Sequence, residues 1–301
     1  METVLSTQKL TKNFGRLCAV NRLDLEVKRG QVFGMLGPNG SGKTTTLGML
    51  MGVTNPTSGD FTWFGETATH RTRKKIGAVL EHPIFYPYLS GQKNLELNAM
   101  IKGADPANIA KVLELVDLTA RKEDKYKTYS LGMKQRLAIA SALVSDPIIL
   151  ILDEPTNGLD PMGIAQIREI IKRIAESGKT IILASHLLDE VQKVCTHFAV
   201  LRRGTLVHIG PVDDVGKGEE TVEVVAYHDD LSHVLHEFKG SLSVKSENGK
   251  FVVRMRDDFH SVDLNKFLFE KGIVASHIVT QKKSLEKQFL EILQEASEEK
   301  H

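Results

Sequence analysis

The stretch GPNGSGKT, residues 37–44, decides the fold of this 301-residue chain. It matches the pattern G-x-x-x-x-G-K-[ST], which is meaningful when a strand precedes it and a helix follows. Both are indicated, because QVFGML (31–36) is typical of a buried strand and TTTLGMLMGV (44–53) of a helix. Glycine-rich backbone here can turn its N–H groups toward phosphate oxygens, and the helix adds the positive end of its dipole. The stretch therefore predicts a phosphate-binding loop.

Two side chains of this loop have expected roles in binding a nucleoside triphosphate. Lys43 is expected to reach the β- and γ-phosphates, and the Thr44 hydroxyl is expected to ligate Mg²⁺. GTPases, kinases and motor ATPases share such a loop. The loop therefore indicates the class of ligand, and the rest of the chain has to indicate the function.

A pair of carboxylates follows a second apolar strand. IILIL (148–152) is typical of a short buried strand, and Asp153 and Glu154 come directly after it. Asp153 is placed to hold Mg²⁺ through water, and Glu154 to address the water that attacks the γ-phosphate, as general base or orienting group. An ordinary acidic pair between a strand and a turn is the alternative. The position downstream of a phosphate loop favours the catalytic interpretation.

Composition and patterning indicate a globular chain in two parts. It is 41% hydrophobic and 26% charged, and its net charge of +1 gives no sign of a nucleic-acid-binding surface. Alternating strand and helix patterns over the first two hundred residues predict an α/β P-loop NTPase fold with a largely parallel sheet. Successive helical patterns interrupt them and predict a helical subdomain at about residues 82–145. Cys18 and Cys195 indicate neither a disulfide framework nor a metal site.

A domain boundary is predicted where turn formers and charges cluster, near residues 210–220. We expect one domain over residues 1–213 and a C-terminal domain over residues 214–301. The order of patterns after the boundary, β, α, β-hairpin, α, β and α, resembles a small ferredoxin-like α+β module with a last helix. We expect an accessory or regulatory role that helps dimerisation or regulates the first domain. Ligand sensing and simple bracing are the alternatives.

Four motifs together resemble those of the ATP-binding subunits of ATP-binding-cassette (ABC) transporters. GPNGSGKT, YSLGMKQR (129–136), LDEPTNGLD (152–160) and ASH (184–186) follow the order and spacing of that family over roughly residues 3–212. The chain resembles in particular the ATPase subunits of bacterial exporters of the bacitracin- and lantibiotic-immunity type. This implies an ATPase that powers a separate membrane permease, in which ATP closes a dimer and hydrolysis reopens it.

The resemblance implies that ATP and Mg²⁺ bind at the interface of a head-to-tail dimer, formed with a second copy or with a related ATPase. One subunit's phosphate loop holds ATP, and the partner's signature segment closes it. His186 matches the family's switch histidine, which contacts the γ-phosphate. The implied catalytic residues are Lys43, Glu154 and His186. The implied nucleotide-binding residues are Phe14, Gly37, Pro38, Asn39, Gly40, Ser41, Gly42, Lys43, Thr44, Thr45, Ser130, Gly132 and Asp160.

Some of these positions have a second interpretation or depart from the family. Phe14 lies where relatives stack an aromatic ring on adenine, and a core aromatic at a strand end is the alternative. Asp160 matches the acid of the family's D-loop and is also expected to cap a helix that has Pro161 in its first turn. In the signature segment, Leu131 replaces a frequent glycine and Met133 a frequent glutamine. The backbone N–H groups of this segment can still donate hydrogen bonds to a phosphate after both changes.

The stretch VLEHPIFYP, residues 79–87, carries a further departure. Glu81 occupies the place of a family glutamine that reaches Mg²⁺. We expect Glu81 to keep an oxygen ligand on Mg²⁺ while its negative charge alters the properties of the site, and a solvent-facing Glu81 is the alternative. The implied metal ligands are Thr44, Glu81 and Asp153. The permease is expected to dock on the apolar run, and packing against the helices of residues 91–117 is the alternative. The expected docking residues are Pro83, Phe85, Tyr86 and Tyr88.

The resemblance implies a cytoplasmic protein that lies on the inner face of the cell membrane through its permease, without a nucleic-acid partner. The alternative is a soluble ABC ATPase that acts on ribosomes or DNA. Such proteins usually show tandem cassettes, coiled-coil insertions or basic extensions, whereas this chain has one phosphate loop and a near-neutral charge. The sequence does not reveal the cargo, and export as the direction of transport follows from the resemblance.

Overall fold

The structure is a computed structural model. It describes residues 2–80, 84–214, 220–228, 230–247, 249–256 and 258–282. Glu81, Pro83 and the predicted last helix at residues 284–296 lie outside the described residues. The chain divides into two compact units, Met1–Val212 and Asp213–His301.

The first unit alternates strands and helices and contains a run of successive helices. Its strands and helices in chain order are β1 (Thr3–Phe14), β2 (Leu17–Lys28), β3 (Val32–Leu36), α1 (Lys43–Leu50), β4 (Ser58–Trp63), β5 (Glu66–Thr67), α2 (His70–Arg73), β6 (Ile76–Val79), α3 (Gly91–Lys102), α4 (Asn108–Leu115), α5 (Leu131–Leu143), β7 (Ile149–Asp153), α6 (Pro161–Glu176), β8 (Thr180–Ser185), α7 (Leu188–Val194), β9 (His197–Arg202) and β10 (Thr205–Pro211). Short 3₁₀ helices lie at Thr119–Arg121, Tyr126–Thr128 and Val212–Asp214. Within the described ranges, no helix combines the length and the apolarity that a membrane span needs.

A mostly parallel sheet is the centre of this unit, as predicted. Its strand order is β10-β9-β3-β8-β7-β6. The strands from β9 to β6 pair in parallel, and β10 runs antiparallel to β9. All five residues of β3 and of β7 are buried, as continuous apolar strands of a covered parallel sheet should be. Because parallel strands end at one edge, the segments after β3, β7, β8 and β9 meet there.

A second, antiparallel sheet has the strand order β2-β1-β4-β5. One apolar cluster joins it to α1 and to the parallel sheet, with Leu10, Leu47 and Ile151 among its fully buried members. Trp63 is also fully buried there, and its indole N–H donates to the carbonyl of Leu50 at 3.1 Å. This packing fixes the position of α1, which begins at the end of the phosphate loop.

Helices α3, α4 and α5 form the predicted helical subdomain between β6 and β7. Ser90 caps α3 by accepting the N–H of Lys93 at 3.2 Å, and α3 ends at Gly103, which has a left-handed φ of +63°. The apolar faces of the three helices contribute Leu95, Leu113 and Leu137 to buried positions.

The second unit contains an antiparallel sheet and two helices. Its elements are β11 (Glu220–Ala226), α8 (Leu231–Glu237), β12 (Ser241–Glu247), β13 (Lys250–Met255), α9 (Ser261–Glu270) and β14 (Ala275–Lys282). The strand order β12-β13-β11-β14 is that of a ferredoxin-like module, because the first strand lies between the third and the fourth. Both helices contribute to one core, which includes Val222, Leu235, Met255 and Leu268.

Candidate nucleotide-binding site

The phosphate loop connects β3 to α1 and depends on its glycines. Gly40 and Gly42 have φ values of +77° and +103°, which residues with a side chain rarely adopt. A Cβ on Gly37 would lie 2.3 Å from the carbonyl oxygen of Leu201, so this position has no room for a side chain. Helix α1 starts at Lys43 without a side-chain cap. The first N–H groups of an α-helix have no partner within the helix, so this end of α1 suits an anion.

Lys43 lies inside the loop, and its side chain is only 5% exposed. Its ammonium donates to the carbonyl oxygens of Gly37 and Pro38 at 2.7 and 3.3 Å. It also pairs with Oε1 of Glu154 at 3.2 Å. A phosphate oxygen can take the place of these acceptors, so the lysine is held ready at the point where the motif predicts that phosphates bind.

Glu154 connects the phosphate loop to the segment after β8. Its Oε2 lies 2.8 Å from Nδ1 of His186, while its Oε1 pairs with Lys43. Its backbone has a left-handed φ of +46°, and its N–H donates to the carbonyl of Ala184 at 3.0 Å. A strained backbone at a non-glycine residue is more frequent at functional sites. The structure thus brings together the three residues that the sequence marked as catalytic.

The oxygen donors expected for Mg²⁺ fit the preferences of that ion. Asp153 is the last residue of β7 and is 6% exposed, and the hydroxyl-bearing Thr44 lies in the first turn of α1. Mg²⁺ prefers a few protein oxygens together with water and phosphate oxygens. Among the described residues, no three His, Cys, Asp or Glu side chains are grouped to hold a metal on their own. A metal held here would therefore complete its shell from the nucleotide and water.

A cavity of about 480 Å³ opens beside these residues. Phe14 lies at the end of β1, where its ring is 52% exposed, which contradicts its interpretation as a core aromatic. The expected residues that line the cavity are Phe14, Asn39, Gly40, Ser41, Gly42, Lys43, Thr44, Thr45 and Glu154. The sequence did not predict four of the lining residues as part of the site, namely Leu17, Cys18, Ala19 and Arg203. Three of them follow Phe14 along the chain, and Arg203 follows a strand that is parallel to β3.

The signature serine and the D-loop acid lie elsewhere, and neither lines this cavity. Ser130 caps α5 by accepting the N–H of Met133 at 3.3 Å, and Asp160 caps α6 by accepting the N–H of Gly163 at 2.7 Å. Gly132 lies in the first turn of α5, and the side chain of Leu131 is 48% exposed. Each cap agrees with the local sequence.

The aromatic run after β6 divides between core and surface. Phe85 is 8% exposed and packs on Tyr126 with ring centroids 5.1 Å apart, so its expected place on a docking surface is wrong. Tyr86 and Tyr88 are 64% and 72% exposed. A buried residue that the sequence did not reveal holds the run: the Asn94 amide donates to the Tyr86 carbonyl and accepts the Tyr86 N–H. Phe85 thus anchors the run, while the tyrosines face outward.

Comparisons with known proteins show the family to which the chain is similar. Residues 20–157 match a family model described as ABC transporter. The uncharacterized ABC transporter ATP-binding protein YhcH of Bacillus subtilis (strain 168) is 39% identical over 306 residues, which cover 99% of each chain. The bacitracin transport ATP-binding protein BcrA of Bacillus licheniformis is 37% identical over 300 residues, covering 97% of this chain and 98% of that one.

Solved structures of similar fold include cbiO1 from Clostridium perfringens, part of the ABC transporter complex cbiONQ. It has a TM-score of 0.66 and 28% identity, over 71% of this chain and 91% of that chain. The ATP-binding cassette MJ0796, in a dimeric post-hydrolysis state with ADP and Pi, has a TM-score of 0.61 and 26% identity, over 69% and 98% of the two chains.

The fold and the site define a P-loop ATPase. The chain belongs to the family of ABC transporter ATP-binding proteins. It is therefore the ATP-binding subunit of an ABC transporter and an ATPase, as its resemblance implied. Subunits of this kind form dimers and work with membrane permease components.

Proposed function

We propose that this chain hydrolyses ATP at the cavity beside the phosphate loop and thereby powers a bacterial exporter. One observation carries the proposal. The carboxylate of Glu154 lies between the ammonium of Lys43 and the imidazole of His186, at the edge where the parallel strands end. A base that is hydrogen-bonded to an orienting group, beside a cationic phosphate ligand, is the arrangement that attack of water on a γ-phosphate requires.

The contacts of the three residues assign a task to each of them. A carboxylate only accepts hydrogen bonds, so Nδ1 of His186 carries the proton that faces Glu154. Nε2 remains for contact with the γ-phosphate. When phosphate oxygens replace Glu154 as the partner of Lys43, Oε1 becomes available to a water molecule. Glu154 then accepts the proton of that water as general base.

Thr44 and Asp153 are the described residues that would hold Mg²⁺, with Glu81 as the expected third ligand. When bound, the ion neutralises charge on the phosphates. The ring of Phe14 lies exposed at the rim of the cavity and would stack on the adenine, since stacking needs an open aromatic face.

We assign Ser130, Gly132 and Asp160 to the partner's nucleotide in a head-to-tail dimer of two copies or of this chain and a related ATPase. None of these three residues lines this chain's own cavity. This supports the assignment, because a residue that contacts the partner's nucleotide need not lie near the nucleotide site of its own chain. The N-terminus of α5, capped by Ser130, supplies N–H groups that suit a phosphate.

Export and membrane attachment rest on the relatives and on an exposed aromatic surface. BcrA, which matches almost the whole chain, is named for bacitracin transport. Tyr86 and Tyr88 offer large exposed rings to a permease at the inner face of the cell membrane. If they dock there, Tyr86→Ala with Tyr88→Ala loses copurification with the permease, while the ATPase rate of the isolated subunit stays unchanged. Undiminished copurification would place the docking surface elsewhere.

The C-terminal domain has the proposed role of assisting dimerisation or regulating the ATPase. Its own core supports its treatment as a separate module. Deletion of residues 216–301 should then change the dimerisation constant or the ATPase rate. A simple structural appendage would leave both unchanged.

The catalytic assignment is tested with Glu154→Gln and, as a control, Glu176→Gln on the exposed end of α6. Glutamine keeps the size and one acceptor of the side chain but cannot take a proton from water. We expect hydrolysis to fall about 10²–10⁴-fold, the usual contribution of a general base, while ATP still binds. The control should hydrolyse ATP at the wild-type rate. Normal hydrolysis by Glu154→Gln would remove Glu154 from its role.

A further inference from the structure

The turn that joins β9 to β10 brings a basic residue to the nucleotide cavity. Strand β9 pairs in parallel with β3, so both strands end at the edge where the phosphate loop lies. Arg203 comes directly after β9 and lines the cavity together with Ser41, Lys43 and Glu154. This residue lies outside all the motifs that the sequence offers, because its place depends on the order of strands in the sheet.

The backbone holds this turn against the phosphate loop. The N–H of Gly204 donates to the carbonyl of Ser41 at 2.9 Å, and the Gly204 carbonyl accepts the N–H of Asn21 at 2.8 Å. A Cβ on Gly204 would lie 2.7 Å from the carbonyl oxygen of Ala19, so the packing there has no room for a side chain. Arg203 itself has a left-handed φ of +46°, which is uncommon for a residue with a side chain. The turn is therefore fixed relative to the phosphate loop before any ligand binds.

The charge of Arg203 is not used elsewhere in the described part of the chain. No described carboxylate forms an ion pair with it, and its side chain is exposed. The acidic residue of the same cavity, Glu154, is already paired with Lys43 and His186. An unpaired guanidinium at the rim of a site for a polyanion gains a charge-assisted hydrogen bond when the anion binds.

We infer that Arg203 contacts the phosphate chain of the bound nucleotide. It is thus a nucleotide-contacting residue in addition to Lys43 and the loop amides. The inference rests on the proposed position of ATP in the cavity. Arg203 is expected to supply binding that is equal in the ground state and the transition state, because Lys43, Glu154 and His186 already make the catalytic contacts. Such an interaction affects KM and leaves kcat unchanged.

The test uses Arg203→Asn, Arg203→Lys and the matched control Arg16→Asn in the full chain. Asparagine removes the charge and tolerates the left-handed backbone. Arg16 is exposed in the nearby β1–β2 turn and does not line the cavity, so Arg16→Asn makes the same charge change without the contact. The dissociation constant of MgADP is measured by calorimetry at several salt concentrations, and KM and kcat for MgATP by phosphate release.

For Arg203→Asn we expect the MgADP dissociation constant and the KM for ATP to rise about tenfold, the typical loss of one charged hydrogen bond, with kcat unchanged. Arg203→Lys should lose less, because it keeps the charge. The affinity of Arg203→Asn should also fall less steeply with salt than that of the wild type. Arg16→Asn should match the wild type in each quantity.

Equal affinities of Arg203→Asn and Arg16→Asn would overturn the inference. So would a loss of affinity with an unchanged salt dependence, which would indicate an uncharged contact to the sugar. Lys43→Ala separates this failure from failure of the proposed site. If Lys43→Ala binds MgADP normally, the nucleotide does not lie on this loop and both proposals fail. If only Lys43→Ala is impaired, the inference about Arg203 alone is wrong.

Discussion

Asn94→Ala should destabilise the first unit far more than an ordinary polar substitution on a helix. The Asn94 side chain is 1% exposed and makes three hydrogen bonds shorter than 3.2 Å with backbone groups, two with the aromatic run and one with the N-cap of α3. These are the bonds to the Tyr86 N–H at 2.8 Å, the Tyr86 carbonyl at 3.1 Å and the Ser90 carbonyl at 3.0 Å. The run after β6 is thereby tied to the first turn of α3.

The magnitude follows from these bonds. Each contributes about 1 kcal/mol net, so their loss costs about 3 kcal/mol. Alanine is the better helix former and returns about 0.5 kcal/mol, which leaves about 2–3 kcal/mol. For a unit of this size, that corresponds to a fall in Tm of about 4–12 °C.

The matched control is Asn98→Ala, one turn further along α3. Asn98 is half-buried, and its amide donates to the Asn94 carbonyl at 3.2 Å. The helix-propensity change is the same in both variants, so the difference between their Tm values measures the hydrogen bonds that Asn94 makes with the backbone of the aromatic run. Scanning calorimetry of the full chain gives both Tm values. If Asn94→Ala and Asn98→Ala unfold within a degree of each other, Asn94 does not hold the run.

Two further predictions concern thiols and pH. Cys18 is exposed in the nucleotide cavity, whereas burial raises the pKa of the Cys195 thiol to about 12. A thiol reagent at pH 8 should therefore modify Cys18 alone, and MgADP should slow the modification of Cys18. Rapid labelling of Cys195, or labelling of Cys18 that ignores MgADP, would contradict this. The hydrogen bond from Arg173 lowers the pKa of Asp117, so the pair contributes stability at neutral pH that is lost as pH falls through that lowered pKa. Because the Asp117 side chain is 55% exposed, Asp117→Asn should cost under about 1 kcal/mol at pH 7. The cost should shrink as pH falls through the lowered pKa, and a cost that stays constant in acid would refute the ion-pair explanation.

Local patterns were sufficient to predict the phosphate loop, the strand-end carboxylates and the cap of α6. Gly40 and Gly42 are needed for the backbone that they adopt, and Asp160 accepts a hydrogen bond within its own helical turn. In each case the residue type and its immediate neighbours determine the conformation. The same holds for β3, whose apolar run could only be buried.

Features that depend on contacts between distant parts of the chain could not be predicted from the sequence. Arg203 reaches the cavity because β9 pairs with β3, and no local pattern records that neighbour. Phe85 turns inward while Tyr86 turns outward, since an irregular segment has no period that assigns its faces. Asn94 looks like an ordinary helix residue in the sequence. Its hydrogen bonds to Tyr86 form only because the preceding run folds back on α3.

Hydrolysis at sites shared between two chains is tested most directly by mixing two inactive variants. Lys43→Ala disables the phosphate loop of its own chain, and Ser130→Arg disables the signature segment that would close the partner's ATP. In a head-to-tail dimer of two copies, each mixed dimer keeps one intact site, so an equimolar mixture should recover about a quarter of the wild-type ATPase rate. Each variant alone should be inactive. A mixture that stays as inactive as its components would show that Lys43 and Ser130 do not act on the same ATP from different chains.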